Sequence, residues 1–222
     1  MSRIRPRPEA VLWDLDGTLI DSEPIYIEVA DGLARTGGGD GLDESTKRRL
    51  VARPMDDLVD AVAEASADQS PDRAELARLI NSGVMERLSA QVPWRRGARR
   101  WLSQLRRTGC LMGLATLSYR DYVDLVLDDL GFNPFAAIVA GDEPGLKPKP
   151  DPDPYLRLAR SLEVDPAGCL VLEDSVIGVQ AGRAAGCQVI ALHAEEKAAR
   201  RLADQAWSSL IGRGPSDLGW AG

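Results

Sequence analysis

The chain has 222 residues, 44% hydrophobic and 27% charged, with 34 acidic side chains against 27 basic ones. That is enough for one good core, or for a core carrying a smaller appendage. The net charge of −7 offers no basic face of the kind nucleic acid or an anionic membrane requires, so neither is expected as a partner.

Met1 to Pro8 is rich in Arg and Pro and no apolar h-region follows, so no signal peptide is read there. No apolar run approaches the roughly 18–20 residues that span a bilayer. The expectation is a soluble, cytoplasmic protein. Ala10-Val11-Leu12-Trp13 reads as a buried strand running into Asp14-Leu15-Asp16-Gly17-Thr18. In a strand, residues two apart face the same side, which brings the carboxyls of Asp14 and Asp16 into one small volume. Two charges that close need a cation or a shared proton, and this points to chemistry. The structural alternative is a strand-end pair that caps a helix or closes a turn.

From 22 to about 92 the pattern is helical throughout. Apolar positions recur at Ile25, Val29 and Leu33, then at Leu50, Val51, Met55, Leu58, Val59 and Val62, then at Leu76, Leu79, Ile80, Val84 and Leu88, with the spacing of amphipathic helices. Gly37-Gly38-Gly39-Asp40-Gly41 and Ser70-Pro71-Asp72 break the stretch. The glycine run is a turn rather than a phosphate loop, since no strand precedes it and no Lys-Ser/Thr follows. Beyond Pro93 helices and strands alternate: helix 97–108, strand Leu111–Ala115, helix 119–130, strand Ala137–Ala140, helix 153–163, strand Leu170–Leu172, helix 176–185, strand Gln188–Leu192, helix 195–205 and a short last strand. Uninterrupted apolar strands alternating with amphipathic helices predict an α/β fold, a doubly wound parallel sheet with a helical insertion after its first strand.

Ligands of such sheets bind beyond the carboxyl ends of the strands. Those ends carry Asp14 and Asp16, Thr116 and Ser118, the loop lysines Lys147 and Lys149, and Glu173-Asp174-Ser175. Acids, hydroxyls and a lysine on one edge suit a phosphate and a divalent cation. Cys110, Cys169 and Cys187 are scattered beside apolar stretches and read as reduced core thiols. His193 is the only histidine, so no multi-histidine metal site can form; it reads as a structural residue at a strand end.

Taken in order, Asp14-Leu15-Asp16-Gly17-Thr18, Thr116, Lys149 in Lys149-Pro150-Asp151-Pro152-Asp153-Pro154-Tyr155, and Glu173-Asp174-Ser175 resemble the four motifs of the haloacid dehalogenase superfamily. The subgroup is the one containing β-phosphoglucomutase and phosphoglycolate phosphatase, and the likeness covers essentially the whole chain. It implies a Rossmann-like core from 1–19 and 93–222 and a small helical cap at 20–92. Asp14 is then the nucleophile that forms an aspartyl-phosphate, and Asp16 the general acid and base. Thr116 and Lys149 bind the transferring group, with Lys149 fitting the family spacing better than Lys147. Mg²⁺ is the implied cofactor, held by Asp14, the Asp16 main-chain carbonyl and Asp174. Glu173 either binds the ion or orients Asp174, and helix capping by this acidic turn is compatible with both.

The second aspartate, Asp16, separates this chain from the dehalogenases of the superfamily and favours phosphoryl transfer. Sugar-phosphate mutases carry a His and an Arg in the cap, where this chain has Tyr26 and Met55, and Val where it has Thr18. Water is therefore the expected acceptor, and a phosphatase acting on a small phosphorylated metabolite the expected function. A mutase and a catalytically silent binding protein are the alternatives. Glu23, Tyr26 and Arg53 are the candidate cap contacts to substrate. A monomer is expected, with a dimer as the alternative.

Overall fold

A computed structural model describes residues 7–50, 55–67 and 72–220. The chain divides into two compact units, Met1–Asp21 with Trp94–Gly222, and Ser22–Pro93. Ile20, on the insertion side of the boundary drawn from sequence, forms bridges to Asp16 and Trp94 and so belongs to the first unit.

The first unit is built on β1 (Ala10–Trp13), β2 (Leu111–Ala115), β3 (Ala137–Val139), β4 (Cys169–Glu173), β5 (Gln188–Leu192) and β6 (Gln205–Trp207). Among the described residues they make one sheet in the order β3-β2-β1-β4-β5-β6, and every pairing is parallel. All four residues of β1 and all five of β4 are buried, which is why these strands read as unbroken apolar runs rather than alternating ones. The chain moves outward from β1 through β2 to β3, then returns to place β4 on the other side of β1. That reversal opens a crevice at the carboxyl ends of β1 and β4.

The crossovers of the first unit carry helices, numbered with those of the second in chain order below. In the second unit, α1 (Glu23–Thr36), α2 (Glu44–Leu50), α3 (Met55–Ala65) and α4 (Arg73–Ala90) bury the apolar positions read from the sequence, including Val29, Leu58, Val59, Val62, Ile80, Val84 and Leu88. The Leu50–Val62 set is divided between α2 and α3, and Val51 lies outside the described residues. Asp72 caps α4, its carboxylate accepting from the N–H groups of Ala74 and Glu75, as the first turn of a helix requires. In the first unit the helices are α5 (Ala98–Arg107), α6 (Arg120–Leu130), α7 (Asp153–Ser161), α8 (Val176–Ala184) and α9 (Lys197–Leu202).

Most element ends fall within two residues of expectation, and two differences have a clear physical cause. Glu173 is the last residue of β4 rather than the start of a turn, and it is fully buried. The last helix covers Lys197–Leu202 instead of 195–205, because Asp204 binds Val189 twice: its N–H donates to the Val189 carbonyl and its carboxylate accepts from the Val189 N–H, both at 2.9 Å. The chain thus becomes extended early enough for Gln205–Trp207 to pair with β5. Among the described residues no helix is long and apolar enough to cross a membrane.

Candidate active site at the strand ends

The parallel register sets the site. Trp13 is level with Leu114 of β2 and Leu172 of β4, so Asp14, Ala115 and Glu173 emerge side by side. Lys149, brought in by the loop after β3, closes this row. Its ammonium donates to Asp14 Oδ1 at 2.6 Å, to Glu173 Oε1 at 2.6 Å and to the Ala115 carbonyl at 3.1 Å. An ammonium has three protons, and these three acceptors take them all. Lys147, by contrast, is exposed, so Lys149 is the lysine in the cluster.

Glu173 is equally engaged. Oε1 also accepts from the Tyr155 hydroxyl at 3.0 Å, while Oε2 accepts from the N–H groups of Asp174 and Ser175 and from Ser175 Oγ, at 3.0 to 3.1 Å. Ser175 Oγ in turn caps α8 by accepting from Gly178 N–H. The acidic turn therefore caps a helix and fixes a carboxylate at once. Thr18 donates to Asp174 Oδ1 at 3.3 Å. Gly17, at φ 80°, is required beside it, because a Cβ there would collide with the Asp174 carboxylate and positive φ disfavours other residues.

Asp14 and Asp16 do not share one pocket of partners, which corrects the simplest reading of their spacing. Asp16 Oδ1 accepts from the Tyr122 hydroxyl at 2.6 Å, and Oδ2 from Ser118 Oγ at 2.6 Å and Thr116 Oγ1 at 3.3 Å. Three hydroxyls from the end of β2 and the first turn of α6 draw its carboxyl toward themselves, while Lys149 holds that of Asp14.

One carboxylate oxygen from each of Asp14, Glu173 and Asp174 lies within 4.8 Å of the other two. Asp14 Oδ2 is buried with no hydrogen-bond partner among the described residues, a costly state for a carboxylate oxygen unless something else meets it. Clustered oxygen donors around such an atom fit a hard divalent cation such as Mg²⁺. Electrostatics agree. Burial, with the Glu173 charge adding and Lys149 opposing, pushes the Asp14 carboxyl up to about 7. Burial also works against the Lys149 ammonium, yet Asp14 and Glu173 hold its pKa well above the usual lysine range. Two acids share one buried cation, and a second positive charge would relieve them.

The model of the haloacid dehalogenase-like hydrolase family matches residues 11–192, a span that contains every group just described. The chain belongs to that family. N-acetylmuramic acid 6-phosphate phosphatase of Pseudomonas aeruginosa is 26% identical to it over 205 residues, 90% of each chain. Hexitol phosphatase B of Escherichia coli is 31% identical over 191 residues, 84% of each. Among solved structures, CbbY from Rhodobacter sphaeroides in complex with phosphate superposes with a TM-score of 0.78 at 26% identity, over 95% of this chain and 99% of that one.

In this haloacid dehalogenase-like hydrolase, six residues singled out from sequence, Asp14, Asp16, Thr116, Lys149, Glu173 and Asp174, stand together at the strand ends of the first unit. Glu23 and Tyr26 lie in the first turn of α1 in the second unit, and Arg53 falls outside the described residues. Sequence reasoning missed Tyr122. Its one signal was position, since a tyrosine in the first turn after a strand's carboxyl end stands on the ligand-binding edge. His193 is half-buried, its Nδ1 facing the Ser208 carbonyl at 3.1 Å, and burial, then Arg95, lowers its pKa, as suits a neutral structural histidine. The three cysteines are buried free thiols.

Proposed function

We propose that this hydrolase is a Mg²⁺-dependent phosphatase of a small phosphomonoester, a sugar phosphate or a phosphoglycolate-like ester, working through an aspartyl-phosphate on Asp14. One observation carries the reading. Asp14 is buried at the switch point of the sheet with one oxygen fixed by Lys149 and the other meeting no donor among the described residues, the state of a carboxylate oriented by its neighbour and left with an oxygen for a ligand to meet.

The Asp14 carboxylate attacks phosphorus, a P–O bond forms, and the bond to the ester oxygen breaks in line. Asp16 gives its proton to the departing alkoxide. Water then attacks the phosphorus of the acyl phosphate, loses its proton to Asp16, and returns Asp14 as a carboxylate with release of phosphate. Lys149 orients Asp14 and spreads positive charge over the transferring group, and Thr116 stands beside it. The carboxylates of Asp14 and Asp174 and the Asp16 main-chain carbonyl would hold Mg²⁺, which would supply the charge that lets a carboxylate approach a phosphate dianion. Glu173, with both oxygens committed to five donors, positions Lys149 and the Asp174 backbone rather than acting as a ligand. The helical unit Ser22–Pro93 is the counterpart of the family's small cap in this reading, with Glu23, Tyr26 and Arg53 selecting substrate.

The substrate class draws on relatives named for phosphorylated sugars and hexitols. The test is phosphate release from a panel of small phosphomonoesters with and without Mg²⁺, with Asp14→Asn as the blank. Mg²⁺-dependent release that is concentrated on one class of ester and lost by at least about 10³-fold in Asp14→Asn is expected. Release that Asp14→Asn retains would remove the nucleophile, and no release from any ester would remove the phosphatase.

A further inference from the structure

Within the phosphatase reading, on which this inference rests, we propose that Tyr122 is a positioning residue for Asp16. Its hydroxyl holds the carboxyl beside Thr116 and away from the Asp14–Glu173–Asp174 cluster.

The geometry is that of a clamp. Tyr122 binds Oδ1 and Ser118 binds Oδ2, each at 2.6 Å, short distances typical of strong hydrogen bonds to a carboxylate. Donors on opposite oxygens fix the rotation of the carboxyl as well as its place. Tyr122 can do this because the residue is 4% exposed and its backbone lies in α6, anchored where the Val123 N–H donates to the Tyr119 carbonyl at 3.2 Å. A packed aromatic side chain has little freedom to withdraw its hydroxyl.

Restraint is needed because Asp16 has a competing destination. It follows Asp14 by two residues, and Asp14 is bound to the Lys149 ammonium and is one of the three acids whose oxygens suit a divalent ion. Attraction to either charge would turn Asp16 into one more acid of the cluster, leaving no group to carry a proton to the ester oxygen. Thr116 alone, at 3.3 Å, is a weaker hold.

A positioning role for Asp16 has a signature that packing lacks. An alkoxide leaving group needs a proton in the transition state, whereas a nitrophenolate leaves without one. The comparison is therefore Tyr122→Phe, which keeps the buried ring, against the unaltered protein in single-turnover release of the leaving alcohol or phenol, the step before water attacks, from p-nitrophenyl phosphate and from the sugar phosphate hydrolysed best. We expect the sugar phosphate rate to fall about 10- to 100-fold, a share of the 10²–10⁴ that general acids contribute, with KM changed by less than about twofold and the aryl ester slowed by less than about threefold. Equal losses on the two esters, or no loss on either, would overturn the positioning role while leaving the phosphatase standing. An unaltered protein that releases phosphate from neither ester would overturn both.

Discussion

Asp14 sits where burial, a neighbouring carboxylate and an ammonium compete, and the first two prevail. Its pKa rises from the ordinary 3.8 to about 7, so the folded state binds a proton that the unfolded state gives up. A carboxyl raised in this way stabilises the fold fully below its unfolded value, and that contribution is lost as pH climbs through the folded one. In metal-free protein the melting temperature relative to Asp14→Asn is accordingly expected to fall between pH 3.8 and about 7, and adding Mg²⁺ to the unaltered protein is expected to restore it, since a ligand that binds only the folded state stabilises it. Thermal melts across that window check this. A difference between the two proteins that stays flat with pH would mean that Asp14 is not strained by its surroundings. The strain is the residue-scale sign of a site built for one more positive charge than the chain supplies.

At the scale of elements, the β4–α8 junction does several tasks at once. Glu173 ends the strand, Ser175 caps the helix, and Gly178 in the first turn of α8 gives the Glu173 carboxylate room, since a Cβ there would overlap it. Gly178→Ala is expected to force the helix or the carboxylate to move, costing about 1–3 kcal/mol in urea denaturation and lowering turnover through the displaced Lys149. Unchanged stability and unchanged turnover would show that Glu173 is not confined as described. The acidic turn was legible in the sequence, but its division of labour was not. Whether Glu173 faces an ion or a lysine depends on where the loop after β3 delivers Lys149, which no local pattern encodes. The same holds for α9, whose early end follows from Asp204 binding Val189 on β5, a long-range contact that helical periodicity cannot report.

For the whole molecule, topology converts a linear order of motifs into a site. β1 and β4 are far apart in sequence and adjacent in the sheet, so Asp14 and Glu173 meet only because the chain reverses its strand order between them. The α/β alternation and the helical insertion could be read from hydrophobic period, because buried parallel strands and amphipathic helices leave different patterns. The separation of Asp16 from Asp14 could not, because it depends on hydroxyls just beyond β2 and in α6, 100 to 106 positions along the chain. The central claim, a covalent phosphoryl group on Asp14, is tested most directly by acid-quenching Asp16→Asn during turnover of p-nitrophenyl phosphate, whose leaving group needs no proton from Asp16, and mapping phosphorylated peptides. Without Asp16 to take a proton from water, the account predicts a phosphoenzyme that accumulates on the peptide carrying Asp14. Product release from the unaltered protein with no such adduct in the variant at any quench time would contradict it.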